Sequence, residues 1–238
     1  MSTARFQNPV FVAIDTPDLN RALELARALK SHVGGLKIGL EFLTAQGPEG
    51  VRKILEIGLP VFADTKFHDI PNTVAGASKA IAALGVSIFN VHASGGAAMM
   101  RAGLEAARSV APRTTVIGVT VLTSMGDSDL GPIGQRGPLG DQVVRLAELA
   151  KQAGLDGVVC AAPEIAAVRQ ACGPDFLIVV PGIRPAGSAL ADQRRVMTPG
   201  QAHRAGADIL VVGRPITAAD DPAQAAKAIA AELAGTMT

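Results

Sequence analysis

Charged residues cluster in the segment ADTKFHDIPNT, residues 63–73. Asp64 and Lys66 are two positions apart at the end of an apolar run, so in a β-strand their side chains share one face. Asp69 follows three residues later, where the chain is expected to turn into a helix. Carboxylate and ammonium groups held this close keep each other charged and can orient a lysine for proton donation. The structural alternative is a surface ion-pair cluster.

Other charged side chains are expected at the ends of neighbouring strands. Asp15 ends a first apolar run, Lys37 lies near the end of a second, and His92 follows a fourth. Each has a purely structural alternative: Asp15 as a loop cap, Lys37 as a lysine at the rim, and His92 as a core histidine. The role of His92 stays open. An alternating chain of charges in a poorly solvated pocket is predicted. Its members are Lys37, Asp64, Lys66 and Asp69.

A second group of residues is typical of a phosphate site. The last apolar run ends VVGRPIT, which places Gly213 and Arg214 just before a short helical segment, residues 215–218. The preceding run is followed by PGIRP, which supplies Arg184, and Gln193 lies in the loop after it. Glycine allows backbone N–H groups to approach an anion, and arginine supplies forked donors. The alternative for Arg214 is a surface salt bridge.

The elements that position these residues alternate along the chain. Eight short apolar runs are predicted as strands, and nearly all are continuously apolar, as parallel strands covered on both faces are. They are Val10–Asp15, Gly35–Ile38, Pro60–Asp64, Val86–Val91, Thr115–Val119, Gly157–Cys160, Phe176–Val180 and Ile209–Val212.

Longer amphipathic segments between the strands are predicted as helices. Several begin at an Asp cap or at proline, and Gly85, Gly154 and Gly206 mark helix ends. The segments are Asp18–Lys30, Asn72–Leu84, Asp141–Ala153, Pro163–Gln170 and Asp221–Leu233. This alternation favours an α/β fold, a single-domain (β/α)8 TIM barrel over residues 1–238. The first strand–helix junction lacks the glycine fingerprint of dinucleotide-binding folds.

Two irregular stretches are long enough to be functional loops. Residues 122–139 and 181–197 are rich in Gly, Pro and polar residues and follow the fifth and seventh strands. Long loops on that side of a barrel carry function. We therefore expect them to cover or bind a ligand.

Composition excludes several other classes of protein. The net charge is +1, and Trp and Tyr are absent, so neither nucleic acid nor an anionic membrane is an expected partner. No apolar stretch is long enough for a membrane helix, and residues 1–9 lack an apolar core, so a signal peptide is not expected there. Cys160 and Cys172 lack metal-ligand spacing and are expected to be reduced core thiols. A cytoplasmic location is expected.

The motifs together resemble those of the orotidine 5′-phosphate decarboxylase family, in its bacterial branch. The segment ADTKFHDIPNT matches the family pattern D-x-K-x-x-D-I-x-x-T. The core D-x-K-x-x-D alone is weak, because related barrel decarboxylases and aldolases share it. The ordered set of matches covers nearly the whole chain, which makes the resemblance specific. The other matching segments are FVAID, GLKIG, VTVLTSM, PGIRP, DQRRVMTP and VVGRPIT.

The resemblance implies decarboxylation of orotidine 5′-monophosphate to uridine 5′-monophosphate, the last step of pyrimidine biosynthesis, without metal or organic cofactor. Lys66 and Asp64 would be the catalytic pair, completed by Lys37 and by Asp69. Asp69, with Thr73, would reach into the partner subunit of a homodimer. The implied substrate contacts are Asp15 to ribose, Thr123 and Pro181 to the pyrimidine, and Arg184, Gln193, Gly213 and Arg214 to phosphate.

The sequence is also compatible with three other functions. A sugar-phosphate decarboxylase or aldolase on the same barrel would need magnesium to stabilise an enediolate. A Schiff-base enzyme would use Lys66 as an unprotonated nucleophile, which two nearby carboxylates disfavour. A non-catalytic phosphate-ligand binding protein would leave the clustered charges unexplained.

Overall fold

The strands form a closed parallel barrel. The computed structural model describes residues 6, 8–185 and 197–235. Each strand pairs with the next along the chain, and β8 pairs with β1 through Val10 and Leu210 to close the cylinder. The strands are β1 Val10–Ile14, β2 Gly35–Ile38, β3 Val61–Phe67, β4 Ile88–His92, β5 Thr115–Val119, β6 Gly157–Val159, β7 Leu177–Pro181 and β8 Ile209–Val212. The predicted (β/α)8 barrel is confirmed.

Helices surround the barrel and cover its outer face. They are α1 Leu19–Leu29, α2 Leu40–Leu55, α3 Pro71–Ala83, α4 Gly96–Val110, α5 Asp127–Leu130, α6 Leu139–Gln152, α7 Ile165–Cys172, α8 Pro199–Arg204, α9 Arg214–Thr217 and α10 Pro222–Ala234. Asp18 and Asp221 cap α1 and α10 with their carboxylates, as predicted. None of the helices in the described part of the chain is long and apolar enough to cross a membrane.

Alternate strand residues fill the inside of the barrel. A compact inner cluster is separate from the larger core between strands and helices. It comprises Phe11, Ala13, Phe62, Ile88, Ile117, Leu177, Val179, Ile209 and Val211. The barrel is therefore a packed core, and the next inward position on each strand lies at its carboxyl end.

The loop between β5 and α6 is more ordered than its composition predicts. It contains α5 and a 3-10 turn, Gly131–Ile133, and it buries Leu130 completely. Asp127 accepts a hydrogen bond from the backbone N–H of Leu139 at 2.6 Å, which joins the start of α5 to the start of α6. Of the second loop, residues 186–196 lie outside the described residues.

Candidate active site

The candidate active site is at the carboxyl end of the barrel. Continuing the inward alternation by two residues leads from Ala13 to Asp15 and from Phe62 to Asp64. The same step leads from Ile88 to Asn90. Polar side chains thus replace apolar ones above the inner core, and the strand ends bring them together.

Two lysines flank one carboxylate at this end. The Nζ of Lys66 lies 2.6 Å from Oδ1 of Asp64, and the Nζ of Lys37 lies 3.4 Å from Oδ2 of the same carboxylate. Lys37 also donates a hydrogen bond to Oδ1 of Asp15 at 3.1 Å. The order of charges is therefore Asp15, Lys37, Asp64 and Lys66. We call these four residues the charge cluster.

The environment of Asp64 favours its ionised form. Burial raises the pKa of this carboxyl. The positive charges of Lys37 and Lys66 lower it, and hydrogen bonds from Lys66 and Asn90 lower it further. The pKa of Asp64 is lowered below its ordinary value as a result. The carboxylate can therefore keep a neighbouring ammonium group in place near neutral pH.

The backbone at Lys66 departs from a regular strand. β3 does not end at Asp64 as predicted but continues to Phe67, and its register with β4 shifts between Ala63 and Phe67. Lys66 has a φ of 51°, in the left-handed region. Simple alternation therefore does not describe this strand end, although the side chains of Asp64 and Lys66 do meet.

The charge cluster in the structure differs from the predicted chain of charges at one residue, Asp69. In the described part of the chain, the one hydrogen bond of the Asp69 side chain is to the backbone N–H of Ile70, at 2.6 Å, and it forms no ion pair. Asp69 and Thr73 are both exposed. Within the chain, Asp15 rather than Asp69 completes the alternation of charges, because Asp69 lies in the turn into α3, beyond the end of β3.

Two uncharged residues of the site escaped the sequence analysis. Asn90 is fully buried and donates a hydrogen bond to Asp64 at 2.6 Å. The sequence feature that could have identified Asn90 is that it is a polar residue within the otherwise apolar run of β4. Gly39 is the N-cap of α2, and a Cβ there would lie 3.0 Å from Oδ1 of Asp15 and 3.1 Å from Nζ of Lys37. Glycine thus gives the charge cluster room against the backbone.

His92 lies at the edge of the charge cluster. Its ring is 5.6 Å from that of His68, centroid to centroid. Burial lowers the pKa of His92, and the nearby His68 and Lys66 lower it further, while Asp64 opposes them. The neutral imidazole is therefore favoured at pH 7.

Two arginines mark the predicted phosphate end. Arg184 follows β7 and is 8% exposed, while Arg214 begins α9 directly after Gly213. Burial and the charge of Arg214 both lower the pKa of Arg184. Gln193 lies outside the described residues. Thr123 and Pro181 are half-buried after β5 and at the end of β7, on the same side of the barrel.

The opposite end of the barrel, in the described part of the chain, has a cavity that no cluster of charged residues lines. A cavity of about 470 Å³ lies there, bordered by Phe6, Ser87 and Arg113. Among the described residues that line this cavity, Arg113 is the one with a charge.

Among the described residues, no group of three or more His, Cys, Asp or Glu side chains is arranged to hold a metal ion.

The fold and the charge cluster are those of a (β/α)8-barrel enzyme with its site at the carboxyl end of the strands. The chain belongs to the orotidine 5′-phosphate decarboxylase / HUMPS family, whose model matches residues 8–229. The family resemblance in the sequence is therefore confirmed.

Named relatives are similar over nearly their whole length. An orotidine 5′-phosphate decarboxylase from Paramagnetospirillum magneticum is 53% identical over 95% of this chain and 98% of its own. An orotidine 5′-phosphate decarboxylase from Rhodospirillum rubrum is 55% identical over 96% of this chain and 95% of its own. The crystal structure of orotidine 5′-phosphate decarboxylase from Lactobacillus acidophilus superposes with a TM-score of 0.85 at 36% identity, covering 95% of this chain and 99% of that one.

Proposed function

We propose that this chain decarboxylates orotidine 5′-monophosphate to uridine 5′-monophosphate and carbon dioxide, the last step of UMP biosynthesis. The observation that carries the proposal is the Asp64 carboxylate held between the ammonium groups of Lys37 and Lys66. The relatives that share more than half of its residues are named for this activity, which supports it.

The proposed chemistry assigns the central role to Lys66. When the bond between C6 and the carboxylate carbon breaks, the electron pair stays on C6, in an orbital that overlaps poorly with the ring carbonyls. The ammonium group of Lys66 stabilises this developing charge and then transfers a proton to C6. Solvent restores the proton on Lys66. No cofactor is needed for this sequence of steps.

The other charges hold Lys66 ready for the reaction. Asp64 contacts Nζ of Lys66 at 2.6 Å and keeps it charged and oriented. Lys37 contacts the second oxygen of Asp64 and so fixes the carboxylate from the β2 side. Asp15, which accepts a hydrogen bond from Lys37, is assigned to the ribose hydroxyls.

The phosphate of the substrate is assigned to the end of the site formed by β7 and β8. Arg184 and Arg214 supply forked donors, and Gly213 allows backbone N–H groups to approach. Gln193 is assigned to the same group from its sequence position. Thr123 and Pro181 are assigned to the pyrimidine. Binding energy from the remote phosphate can organise the reacting end, so it affects rate as well as affinity.

The proposal includes a homodimer with shared sites. Asp69 and Thr73 are exposed on either side of Ile70, whose side chain is 67% exposed. A second copy of the chain that covers this segment would bury Ile70. Asp69 would then lie next to the charge cluster of that second copy. The exposed position of Asp69 supports this arrangement, because among the described residues its carboxylate accepts a hydrogen bond from the adjacent backbone N–H of Ile70 and forms no ion pair. The cytoplasmic location expected from the sequence belongs to the same proposal.

A continuous ultraviolet assay with orotidine 5′-monophosphate tests the function. Purified protein is assayed in the presence of a chelator, with Lys66→Ala beside it. Conversion to uridine 5′-monophosphate by the unmodified protein alone supports substrate, reaction and lysine together. An inactive but folded protein would reject the proposal, and the assay would then turn to sugar phosphates with magnesium.

A further inference from the structure

Lys66 has an unusual backbone conformation for a residue with a side chain. Its φ of 51° is the one positive φ among the non-glycine residues that the structure describes. Such a conformation is strained and persists only where neighbouring contacts hold it. The regular register between β3 and β4 is interrupted at this point, so ladder pairing does not account for it.

Asn90 of β4 hydrogen-bonds to this segment through its side chain and its backbone carbonyl. Its Oδ1 accepts a hydrogen bond from the backbone N–H of Lys66 at 2.7 Å. Its Nδ2 donates to Oδ1 of Asp64 at 2.6 Å. The hydroxyl of Thr65, between the two, donates to the backbone carbonyl of Asn90 at 2.7 Å. One amide therefore fixes the backbone of Lys66 and the side chain of Asp64 together.

Only a side chain with both a donor and an acceptor can make these two bonds. A carboxylate at position 90 would keep an acceptor for the N–H of Lys66 but face Asp64 with a like charge. An apolar side chain of similar size would remove the hydrogen-bond partner of the Lys66 N–H and one donor to the Asp64 carboxylate. Asn90 is 0% exposed, so water does not replace the amide readily.

We propose that Asn90 is a positioning residue for the reaction, one that holds Lys66 and Asp64 in their reactive geometry. This inference rests on the proposed function. A catalytic residue contacts the substrate, whereas Asn90 acts through its hydrogen bonds to Lys66 and Asp64. It keeps the ammonium group of Lys66 aimed where the C6 charge develops, and it keeps Oδ1 of Asp64 beside that ammonium group.

Two substitutions separate the halves of this role. Asn90→Leu removes both hydrogen bonds, whereas Asn90→Asp removes only the donor to Asp64. Ile88→Val is the matched control, because Ile88 is a fully buried inward residue of the same strand and belongs to the inner core. All three are compared with the unmodified protein by circular dichroism, thermal unfolding and full kinetics.

Both Asn90 variants are expected to lower kcat by about 10²-fold or more, because small misplacement of reacting groups is that costly. KM is expected to change far less. The Ile88→Val control is expected to lose stability but keep kcat within about threefold. A kcat of either Asn90 variant within the range of this control would overturn the proposal.

The pH profile supplies a readout that a structural role would not change. Asp64 is faced by Lys37 from β2, by Lys66 on its own strand and by His92 from β4, while Asp15 adjoins Lys37. None of these is altered in Asn90→Asp. Loss of the amide donor and gain of a like charge raise the pKa of Asp64, so the acid limb of kcat is expected to move to higher pH. An unmoved acid limb would contradict the inference.

A crystal structure of Asn90→Leu keeps this inference distinct from the proposed function. Lys66 is expected to leave the left-handed region, and its contact with Asp64 to lengthen. If the unmodified protein is inactive on orotidine 5′-monophosphate but these changes occur, the function is wrong and the positioning by Asn90 stands. If the geometry is unchanged, the positioning role is wrong whatever the activity.

Discussion

Arg184 is buried close to a second cation, Arg214, and burial together with that charge lowers the pKa of Arg184. Among the described residues, Nε of Arg184 has no hydrogen-bond partner. Two like charges in a partly desolvated site raise the free energy of the folded protein, and a bound anion offsets this cost. Under the proposed function, the substrate phosphate would supply that negative charge and an acceptor for Nε of Arg184.

Arg214→Ala is expected to lower kcat/KM for orotidine 5′-monophosphate by about 10²-fold or more, because it removes a charged partner of the phosphate. Inhibition by inorganic phosphate should weaken in parallel. The control is Arg52→Ala, which alters an exposed arginine paired with Glu49 on α2. Near-normal efficiency of Arg214→Ala would refute the phosphate assignment.

Asp69→Asn and Lys66→Ala are each expected to be inactive but to complement one another. If Asp69 acts across a dimer interface, random exchange of subunits restores about a quarter of the sites. Activity is measured after exchange has been verified by mass spectrometry. A mixture of Asp64→Ala and Lys66→Ala is the control, since both residues belong to one chain's charge cluster and no complete site can form. Failure of the first mixture to recover activity would place Asp69 outside the partner's site.

Gly39→Ala is expected to lower kcat/KM by about 10-fold or more while the fold is retained. The added Cβ would press against Asp15 and Lys37 at about 3 Å, and small shifts of charged groups near the reaction are costly. Gly140→Ala in α6 is the control, because a Cβ there meets nothing within 4 Å. The control should leave kinetics unchanged and raise stability by about 0.5–1 kcal/mol. Equal kinetics of the two variants would show that the close approach at Gly39 is unimportant.

Arg169→Ala is expected to lower the free energy of unfolding by about 2–4 kcal/mol, because it removes the guanidinium donor from several backbone carbonyls and from a carboxylate. The Arg169 guanidinium bonds the carbonyls of Gly173, Phe176 and Gly206 and also Asp208, on the amino-terminal side of β7 and β8. Stability is measured by urea unfolding, and kcat of the folded protein should be unchanged.

Arg108→Ala is the control for Arg169, since its pairing with Asp156 involves a half-exposed arginine and is expected to contribute about 0–1 kcal/mol. Arg169→Lys should recover only part of the loss, because an ammonium group cannot reproduce the forked geometry. A loss no greater than that of the control would contradict a structural role for Arg169.

His92→Gln is expected to reduce the dependence of stability on pH. The folded pKa of His92 is below that of an unfolded histidine, about 6.5, so the unfolded state binds more protons as pH falls through that value. The free energy of unfolding of the unmodified protein should therefore decrease from pH 7.5 towards the folded pKa. Urea unfolding at pH 7.5 and 5.5 gives this difference, with His32→Gln, outside the charge cluster, as the control. Equal differences in all three proteins would contradict the prediction.

Local sequence patterns predicted most of the barrel. Strands covered on both faces are continuously apolar, and this pattern located all eight within a few residues of their observed bounds. Caps such as Asp18 and Asp221 located helix starts because a carboxylate accepts from backbone N–H groups that are unpaired in any helix. No bounds were predicted for α2, where Gly47 has a φ of 58° and Pro48 follows within the helix.

By itself, the sequence determined the barrel, the family and the residue types at the strand ends, because these depend on side-chain periodicity and on local motifs. Only the tertiary structure decided that β3 continues past Asp64 with Lys66 left-handed, and that Asn90 bonds both residues from the next strand. It also decided that Asp69 turns away from its own charge cluster. The physical reason is that these features depend on contacts between strands, and the partner of a buried polar group is not encoded in its immediate neighbours.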